Sequence, residues 1–451
     1  MADLLTHSLT FSKENVREYF LKPLFTDADI KALVNVRTDI KSSEKLDFVG
    51  TLEKITKTYA QGDGFTTSTG VTVTQKTLTV VGMKAEVKQN GKAFLNWVKQ
   101  AMLAQGVDEN NINGTVFEQI ILQLFMKGLK NDLIRQIFFN DTVKETMTNT
   151  GGVYSPSGTA DDDYNDYLGF WPRIINAFDD STIAASQKVD LNVVTTYQTT
   201  AAVKGKKTST LTGTSGTANI NINGVNYLAT FATDLTTTAA NFVTAYAAII
   251  AARDGKCVVT SSGAGIIVEA GIPGMNVLVT STNVSGNLDA TEATTTAAVI
   301  NTTLVSGGAN TAFGSMWDAM TPELREYVGN GAVIMCTTSM ADNYMKTLEA
   351  LNGSEVAYGN LVNGQRQLNF RGIPILIRQD WDVRIANDMG YLRRHRALLT
   401  VPENLVIGTD GVSDEMSVEM FYDQVKQNNH FRAEYKAGTQ YVHEKLIVAA
   451  Y

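Results

Sequence analysis

Cysteine is almost absent from this sequence: Cys257 and Cys336 are the two in 451 residues. Two thiols so far apart exclude a disulfide scaffold. Each sits in an apolar run, "KCVVT" or "AVIMCTT", that reads as buried strand with the thiol acting as a small hydrophobe. Histidine is scarce as well. His7, His395, His430 and His443 include no pair at H-x-x-x-H spacing, so no metal site or catalytic pair is read from them. Charged residues make up only 19%, with 38 basic against 46 acidic side chains and a net charge of −8. That balance argues against a protein that grips nucleic acid by its phosphates, though not against a shell that encloses it. No run spans a bilayer; "TAANFVTAYAAIIAA" is short and interrupted by Asn241. The opening "MADLLTHSLTFSKENVREYF" lacks the basic start and apolar core of a secretory signal. What is present is 44% hydrophobic, enough for packed cores and too much for wholesale disorder. The length suits two to four domains.

The first 45 residues read as an extended arm with a short helix, Asn15 to Phe20, ended by Pro23. From Leu46, "FVGTLEKITKTYA" and "VTVTQKTLTVVGMKAEVKQ" alternate around the tip "QGDGFTTSTG", the pattern of a long projecting β-hairpin. Its alternating residues are mostly threonine, lysine and valine, poor material for a private core. Gln61, Asp63, Phe65, Thr66 and Thr67 at the tip are therefore expected to touch another subunit. The clearest helix follows, Val116 to Phe139, opened by a Thr115-x-x-Glu118 capping box and roughly 36 Å long. Phe117, Ile121, Leu124 and Gly128 form its expected buried stripe, widened by Ile120 and Phe125. "TGGVYSPSGTADDDYNDYLGFWPRIINAF" reads as a turn-rich loop leading to a compact element around Phe170, Trp171 and Ile174.

The stretch "TSTLTGTSGTANINING", Thr208 to Gly224, is small, uncharged and unlike its flanks. It is no linker. Ile220 and Ile222 alternate, Asn223-Gly224 makes a tight turn, and Val225, Tyr227 and Phe231 alternate back. "DLTTTAANFVTAYAAIIAARDG" is a helix capped by Asp234 or a threonine and stopped at Gly255. "CVVTSS", "GIIVEAG" and "NVLVTST" are three strands. A small domain over 206–306 is expected, inserted in an α+β body with its ends close together. Beyond it come a helix in "FGSMWDAMTPELREYV", a buried strand in "GAVIMCTTS", and a helix in "MADNYMKTLEALNG" with Gly353 near its C-cap. A strand kinked at Gly372-Ile373-Pro374 follows, then long strands to the end.

A search for chemistry yields no catalytic constellation and no cofactor or metal site. "KGKKTST" lacks the spacing of a phosphate loop, and "SSGAGIIVEAG" lacks the third glycine of a dinucleotide fingerprint. "DDDYND", Asp161 to Asp166, has no calcium-loop glycine or terminal glutamate, and reads as solvated turn charge. Lys206 and Lys207 read as solvated surface. His395 in "RRHRA" reads as part of a solvated basic run, and Arg393, Arg394 and Arg396 as either surface or partners of fixed carboxylates.

The order of these parts resembles the tailed-phage major capsid protein family with the Hong Kong 97-like fold. "KITKTYAQGDGFTTSTGVTVTQKTLTVVGMKAEV" looks like its E-loop, and "GTVFEQIILQLFMKGLKNDLIRQIFFND" like its spine helix. "DYLGFWPRIINAF" is similar to the lead-in to its A-domain, and "FRGIPILIRQDWD" to its G-I-P strand. The insert resembles a module of structural proteins from crAss-like and other Bacteroidota phages. The resemblance implies an α+β fold: N-terminal arm 1–45, E-loop 46–90, P-domain with spine helix 91–147, A-domain 148–205 and 307–378 split by the insert 206–306, and closing P-domain strands 379–451. It implies hexamers and pentamers closing into an icosahedral shell around double-stranded DNA without sequence-specific contacts. Portal, scaffold and decoration proteins would be the partners, with assembly in the host cytoplasm, residence in the virion, no membrane and no enzymatic activity. No long scaffolding-like extension precedes the arm, so a separate scaffold or none is expected. Lys54, Lys57 and Lys76 are the lysines that an isopeptide crosslink would use. Three other readings are distinguishable: an encapsulin-like nanocompartment shell by small genome-free particles, an enzyme by turnover from a purified monomer, and a surface adhesin by sugar-stacking aromatics.

Overall fold

The computed structural model describes residues 9–10, 33–49, 73–90, 116–150, 152–300, 303–352, 358–359, 367–410, 418–423, 425 and 428–451. They form a mixed α/β fold of several sheets and helices in two compact units. The first comprises residues 1–139, 166–173 and 402–444; the second comprises 140–165, 174–401 and 445–451.

In the first unit, β1 (Leu9–Thr10), β2 (Asn35–Arg37), β3 (Ser43–Val49), β4 (Val73–Thr79) and β5 (Val81–Asn90) come before the long helix. That helix is Val116–Phe139, at the ends read from sequence. Phe125, Leu129, Leu133 and Ile137 form a buried row at four-residue spacing. Gly128 and Lys127 are exposed, so the glycine expected on the buried stripe lies off it. The row instead follows Phe125, which meets Phe431 at 6.3 Å. The helix packs beneath the unit's six-stranded sheet, whose spine is the 14-residue strand Asn428–Tyr441. β5 pairs with that strand from Val81↔Ala437 to Asn90↔Asn428. The long alternating run read as one arm of a hairpin is thus two strands divided at Val80. Only β4 belongs to the hairpin, in register with β3 from Ser43↔Thr79 to Val49↔Val73.

In the second unit, β6 (Glu145–Thr150) and β7 (Val153–Ala160) form a hairpin where the sequence reads as a turn-rich loop. Pro156 and Gly158 hid it, since both are rare in strands and Pro is confined to edges. A helix, Phe170–Asp179, follows, and β8 (Lys188–Val189) enters a seven-stranded sheet.

β9 (Lys206–Thr212), β10 (Gly216–Ile222), β11 (Val225–Thr230), β12 (Val258–Ser262), β13 (Gly265–Glu269), β14 (Val279–Gly286) and β15 (Asp289–Thr296) then pair only among themselves. They form one sheet of order β11-β10-β14 and another of order β12-β13-β9-β15. The helix Leu235–Ala251 packs on them, its N-cap Asp234 accepting from the Thr237 amide. Asn223 and Gly224 have φ of 48° and 83°, the two left-handed positions of a type I′ turn. Thr296 pairs with Lys206, so the segment leaves where it enters. β9 and β15 carry mostly threonine, lysine and small residues, and only the other strands announce themselves by hydrophobic alternation.

The seven-stranded sheet continues with β16 (Val333–Cys336), β17 (Tyr358–Gly359), β18 (Gln367–Phe370), β19 (Ile373–Ile377), β20 (Ala397–Thr400) and β24 (Ile447–Ala450). Helices Gly308–Asp318 and Thr338–Asn352 cover it through Phe313, Tyr344 and Phe370, whose rings lie 5.4–5.9 Å apart. The expected kink at Gly372 is a hairpin. Arg371 and Gly372, with φ of 46° and 85°, join β18 to β19, so that Phe370 pairs with Ile373. "QDWDVRIAN" is a helix, not strand. β21 (Leu405–Gly408), β22 (Val418–Asp423) and β23 (Asn428–Tyr441) belong to the first unit's sheet.

Candidate assembly interface

The hairpin β3–β4 buries little of itself. Leu46 and Leu78 are its only buried residues among those described, joined with Ile40, Val80 and Val406 in a small cluster. One face is anchored by polar and aromatic contacts. The Lys76 ammonium lies 2.9 Å from the Glu444 carboxylate and 3.6 Å from the centre of the Tyr441 ring, and Gln440 donates to the Thr77 carbonyl. Phe48 stacks on His443 at 3.9 Å. Burial, opposed by the Glu444 hydrogen bond, holds the Lys76 amine below its ordinary range. Lys76 is thus engaged within the chain. The other face is bare along the ladder: Ser43, Lys45, Asp47 and Val49 are exposed with their partners Thr79, Thr77, Gln75 and Val73, the two valines at 64% and 58%. Gln61, Asp63, Phe65, Thr66 and Thr67 lie outside the described residues, as do Lys54, Lys57, the 15–20 segment and Gly353. On the long helix, Phe125 is buried; the side chains of Phe117, Ile121 and Leu124 lie outside the described residues.

The inserted strands enclose a core containing Ile220, Ile222, Phe242, Ile266 and Val268, all at most 3% exposed. Tyr227, Phe242 and Tyr246 pack on one another with centroids 5.1–6.5 Å apart, so these aromatics serve the interior. Cys257 is buried there and receives the Asn223 amide at 3.5 Å; burial pushes its thiol up to about 11. Cys336 is buried in the seven-stranded sheet.

The segment's few charges gather at its base against β6 and β7. The Arg253 guanidinium donates to both Glu145 oxygens at 2.8 Å and to the carbonyls of Ile222 and Asn223. Lys144 reaches Asp254 at 2.9 Å, and that carboxylate also accepts the Glu145 amide. A two-pair latch is created, nearly sealed from water. A Cβ on Gly224 would stand 1.8 Å from the Ser157 carbonyl oxygen, so the turn seats its backbone directly on β7. Sequence reasoning noted Arg253 and Asp254 only as sparse charge; their partners lie about a hundred positions away.

The second half of the basic run is not solvated. His395 and Arg396 are both 4% exposed. His395 Nδ1 bonds the Ser339 hydroxyl at 2.8 Å. Burial, helped by the Arg394 cation, pushes its imidazole down to about 4. Arg396 donates to the carbonyls of Arg393 and Leu392. Arg393 lies 4.9 Å from the Tyr451 ring. In "DDDYND", Asp161 accepts the Asp163 amide, closing its own turn, and Tyr164 donates to Asp388. Lys206 pairs with Glu269 at 3.1 Å rather than standing alone. Among the described residues, no group of three His, Cys, Asp or Glu could hold a metal ion, and no helix is long and apolar enough to cross a membrane.

No protein-family model matches the chain, and no curated protein matches it. Solved structures do, over most of its length. A chain of the satellite phage P4 procapsid including the size determination (Sid) protein is 8% identical, with 95% of this chain and 96% of that one covered and a TM-score of 0.44. A chain of the Mycobacterium phage Ogopogo structure is 10% identical, with 94% and 91% covered and a TM-score of 0.41. A chain of the cyanophage P-SCSP1u capsid is 12% identical, with 93% and 86% covered and a TM-score of 0.39. Scores below 0.5 at such identities are no evidence of a shared function.

Proposed function

We propose that this chain is the major capsid protein of a tailed phage, a structural subunit that assembles with copies of itself and catalyses no reaction. The observation that carries the reading is the β3–β4 hairpin: one buried residue on each strand, and one face exposed along the whole ladder, from Ser43 and Thr79 to Val49 and Val73. Alternating strands with no private core need a neighbour to cover them, and repetition of one such contact between identical subunits closes a symmetric shell. In this reading 1–45 is the N-terminal arm and 46–90 the E-loop. Residues 91–147 with 379–451 are the P-domain, and 148–205 with 307–378 the A-domain. Residues 206–306 are an inserted module on the outer face. Gln61, Asp63, Phe65, Thr66 and Thr67 contact another subunit, and Phe117, Ile121, Leu124 and Phe125 form the spine-helix core. Hexamers and pentamers enclose double-stranded DNA in the virion, after assembly in the host cytoplasm with portal and scaffold.

The experiment is to express the full chain, with its scaffold if one is required, beside a variant in which residues 50–72 are replaced by Asn-Gly. That turn joins Val49 to Val73 in their observed register. The unaltered chain is expected to sediment as closed shells or capsomers, and the variant to fold but form no stable shells. A monodisperse monomer from the unaltered chain under assembly conditions, or normal shells from the variant, would sink the reading.

A further inference from the structure

The helix Phe170–Asp179 buries Phe170, Trp171, Ile174 and Phe178 and carries a cation, Arg173, in its first turn. Arg173 is half-buried and its Nε is sealed from water, yet no oxygen among the described residues accepts from its guanidinium. Its electrostatic neighbours belong to the same unit: Lys76 on β4 and Tyr441 on the 14-residue strand. Burial holds the guanidinium below its ordinary range; the Tyr441 phenol acts the other way, and no carboxylate among the described residues contributes. The nearby carboxylate, Glu444, is committed to Lys76 at 2.9 Å, with His443 Nδ1 3.8 Å from the same oxygen. Burial lowers the Lys76 amine, Glu444 opposes this, and Arg173 lowers it further. The two cations therefore feel each other, while the carboxylate serves one of them. An enclosed guanidinium nitrogen without an acceptor, on a side chain that keeps its charge, is costly. Buried polar groups are as a rule hydrogen-bonded. This one has no acceptor among the described residues and stands open enough to take one from outside.

We propose that a carboxylate from a second copy of this chain docks on Arg173. The proposal rests on the capsid reading above and adds to it a fixed polar contact next to the hairpin strand that carries Lys76. The planar guanidinium fork matches a carboxylate, which can accept two parallel N–H bonds. A hydroxyl or a carbonyl would satisfy the N–H groups but leave the half-buried charge uncompensated. Lys76 makes the surroundings more positive, which favours an anion and repels a cationic group. A second copy is well supplied with such groups, since the chain carries 46 acidic against 38 basic side chains. Partial burial also gives the contact weight, because a pair held away from water is screened far less than one on the open surface.

The test assembles the full chain, with its scaffold if one is required and without packaged DNA, beside Arg173→Gln, Arg173→Glu and Lys207→Gln. Two quantities are read: the subunit concentration at which shells form, and the urea midpoint of the free subunit below that concentration. Arg173→Gln is expected to raise the assembly threshold by about tenfold or more, the scale of one hydrogen bond to a charged group. Its urea midpoint should stay the same or rise, because the free subunit loses an uncompensated charge. Arg173→Glu sets a carboxylate against the incoming one and should form no shells. Lys207→Gln removes the same charge from β9 and should assemble like the unaltered chain. If Arg173→Glu does not fold, Arg173→Gln decides. Shells from Arg173→Gln at the unaltered threshold would overturn the proposal and leave the capsid reading standing; an unaltered chain that forms no shells would overturn both. A urea midpoint that falls in Arg173→Gln would put the acceptor inside the subunit. A defect seen only when DNA is packaged would make the acceptor a phosphate, and an equal defect in Lys207→Gln would make net charge the cause. Each of these three results also overturns the assignment.

Discussion

The inserted segment and the β3–β4 hairpin are built from similar material, short threonine-rich strands with alternating side chains, yet they end up in opposite conditions. In the insert, two sheets and a helix close over one another, and Ile220, Ile222 and Ile266 are fully buried. In the hairpin, two strands are covered on one face only among the described residues, and each keeps one buried residue. The difference lies in the number of layers rather than in the strands. A two-stranded ribbon is marginal alone, whereas three or more strands backed by a helix hold a core. The same alternation makes a self-sufficient module in one place and a surface waiting for a partner in the other. The insert fastens to its own chain by a buried polar latch, while the hairpin rests one face on its own chain and leaves the other exposed.

The sharpest way to break this contrast is at the latch. Arg253→Ala leaves the Glu145 carboxylate buried without its cation, and the carbonyls of Ile222 and Asn223 without its donors. Losing one partner of a buried pair costs about 3–5 kcal/mol. Urea denaturation should show that loss, and hydrogen exchange should rise across 206–296 first. A loss below about 0.5 kcal/mol, the range of surface changes, would mean that the latch contributes nothing.

Next in size is the pair Ile220→Ala and Val49→Ala. The first empties a fully buried site and should cost about 2–5 kcal/mol. The second trims a side chain that is 64% exposed and should stay within about 0.5 kcal/mol for the isolated subunit. Equal costs would erase the distinction between the regions.

The seven-stranded body should respond to acid through His395. His395 titrates near 4 in the folded chain against 6.5 ordinarily. Its folded pKa is depressed because the buried imidazole is kept neutral, so the unfolded chain takes up the proton first as pH falls. Stability is therefore lost between about pH 6.5 and 4, by up to about 3 kcal/mol. His395→Gln should flatten that part of the stability profile; an unchanged slope would contradict it.

A smaller effect is expected at the Asn223-Gly224 turn. Gly224→Ala places a methyl against the Ser157 carbonyl at positive φ and should cost more than about 1 kcal/mol, read as a drop in urea midpoint. A neutral result would mean that the turn does not sit on β7.

That turn was legible in the sequence because Asn-Gly between alternating hydrophobic runs has one common structural solution. The 116–139 helix was legible by length and ends, but not by its face: Gly128 lies on the exposed side, because the partner that selects the row is Phe431, three hundred positions on. β7 was illegible because Pro156 and Gly158 read as turn residues, and β9 and β15 because threonine alternation carries no hydrophobic signal. His395 read as part of a solvated run because the Ser339 hydroxyl that meets it is supplied by tertiary structure. Local sequence states which charges exist, but not which oxygens they will meet.

The most direct test of the central claim is an electron cryo-microscopy reconstruction of particles assembled from the full chain, read at one place: the hairpin beyond Val49 and Val73. The account predicts a closed shell in which Gln61, Asp63, Phe65, Thr66 and Thr67 lie against a different copy of the chain, with the 206–306 segment on the outer surface. A hairpin tip packed on its own chain, or a preparation that yields only monomers on the grid, would contradict it.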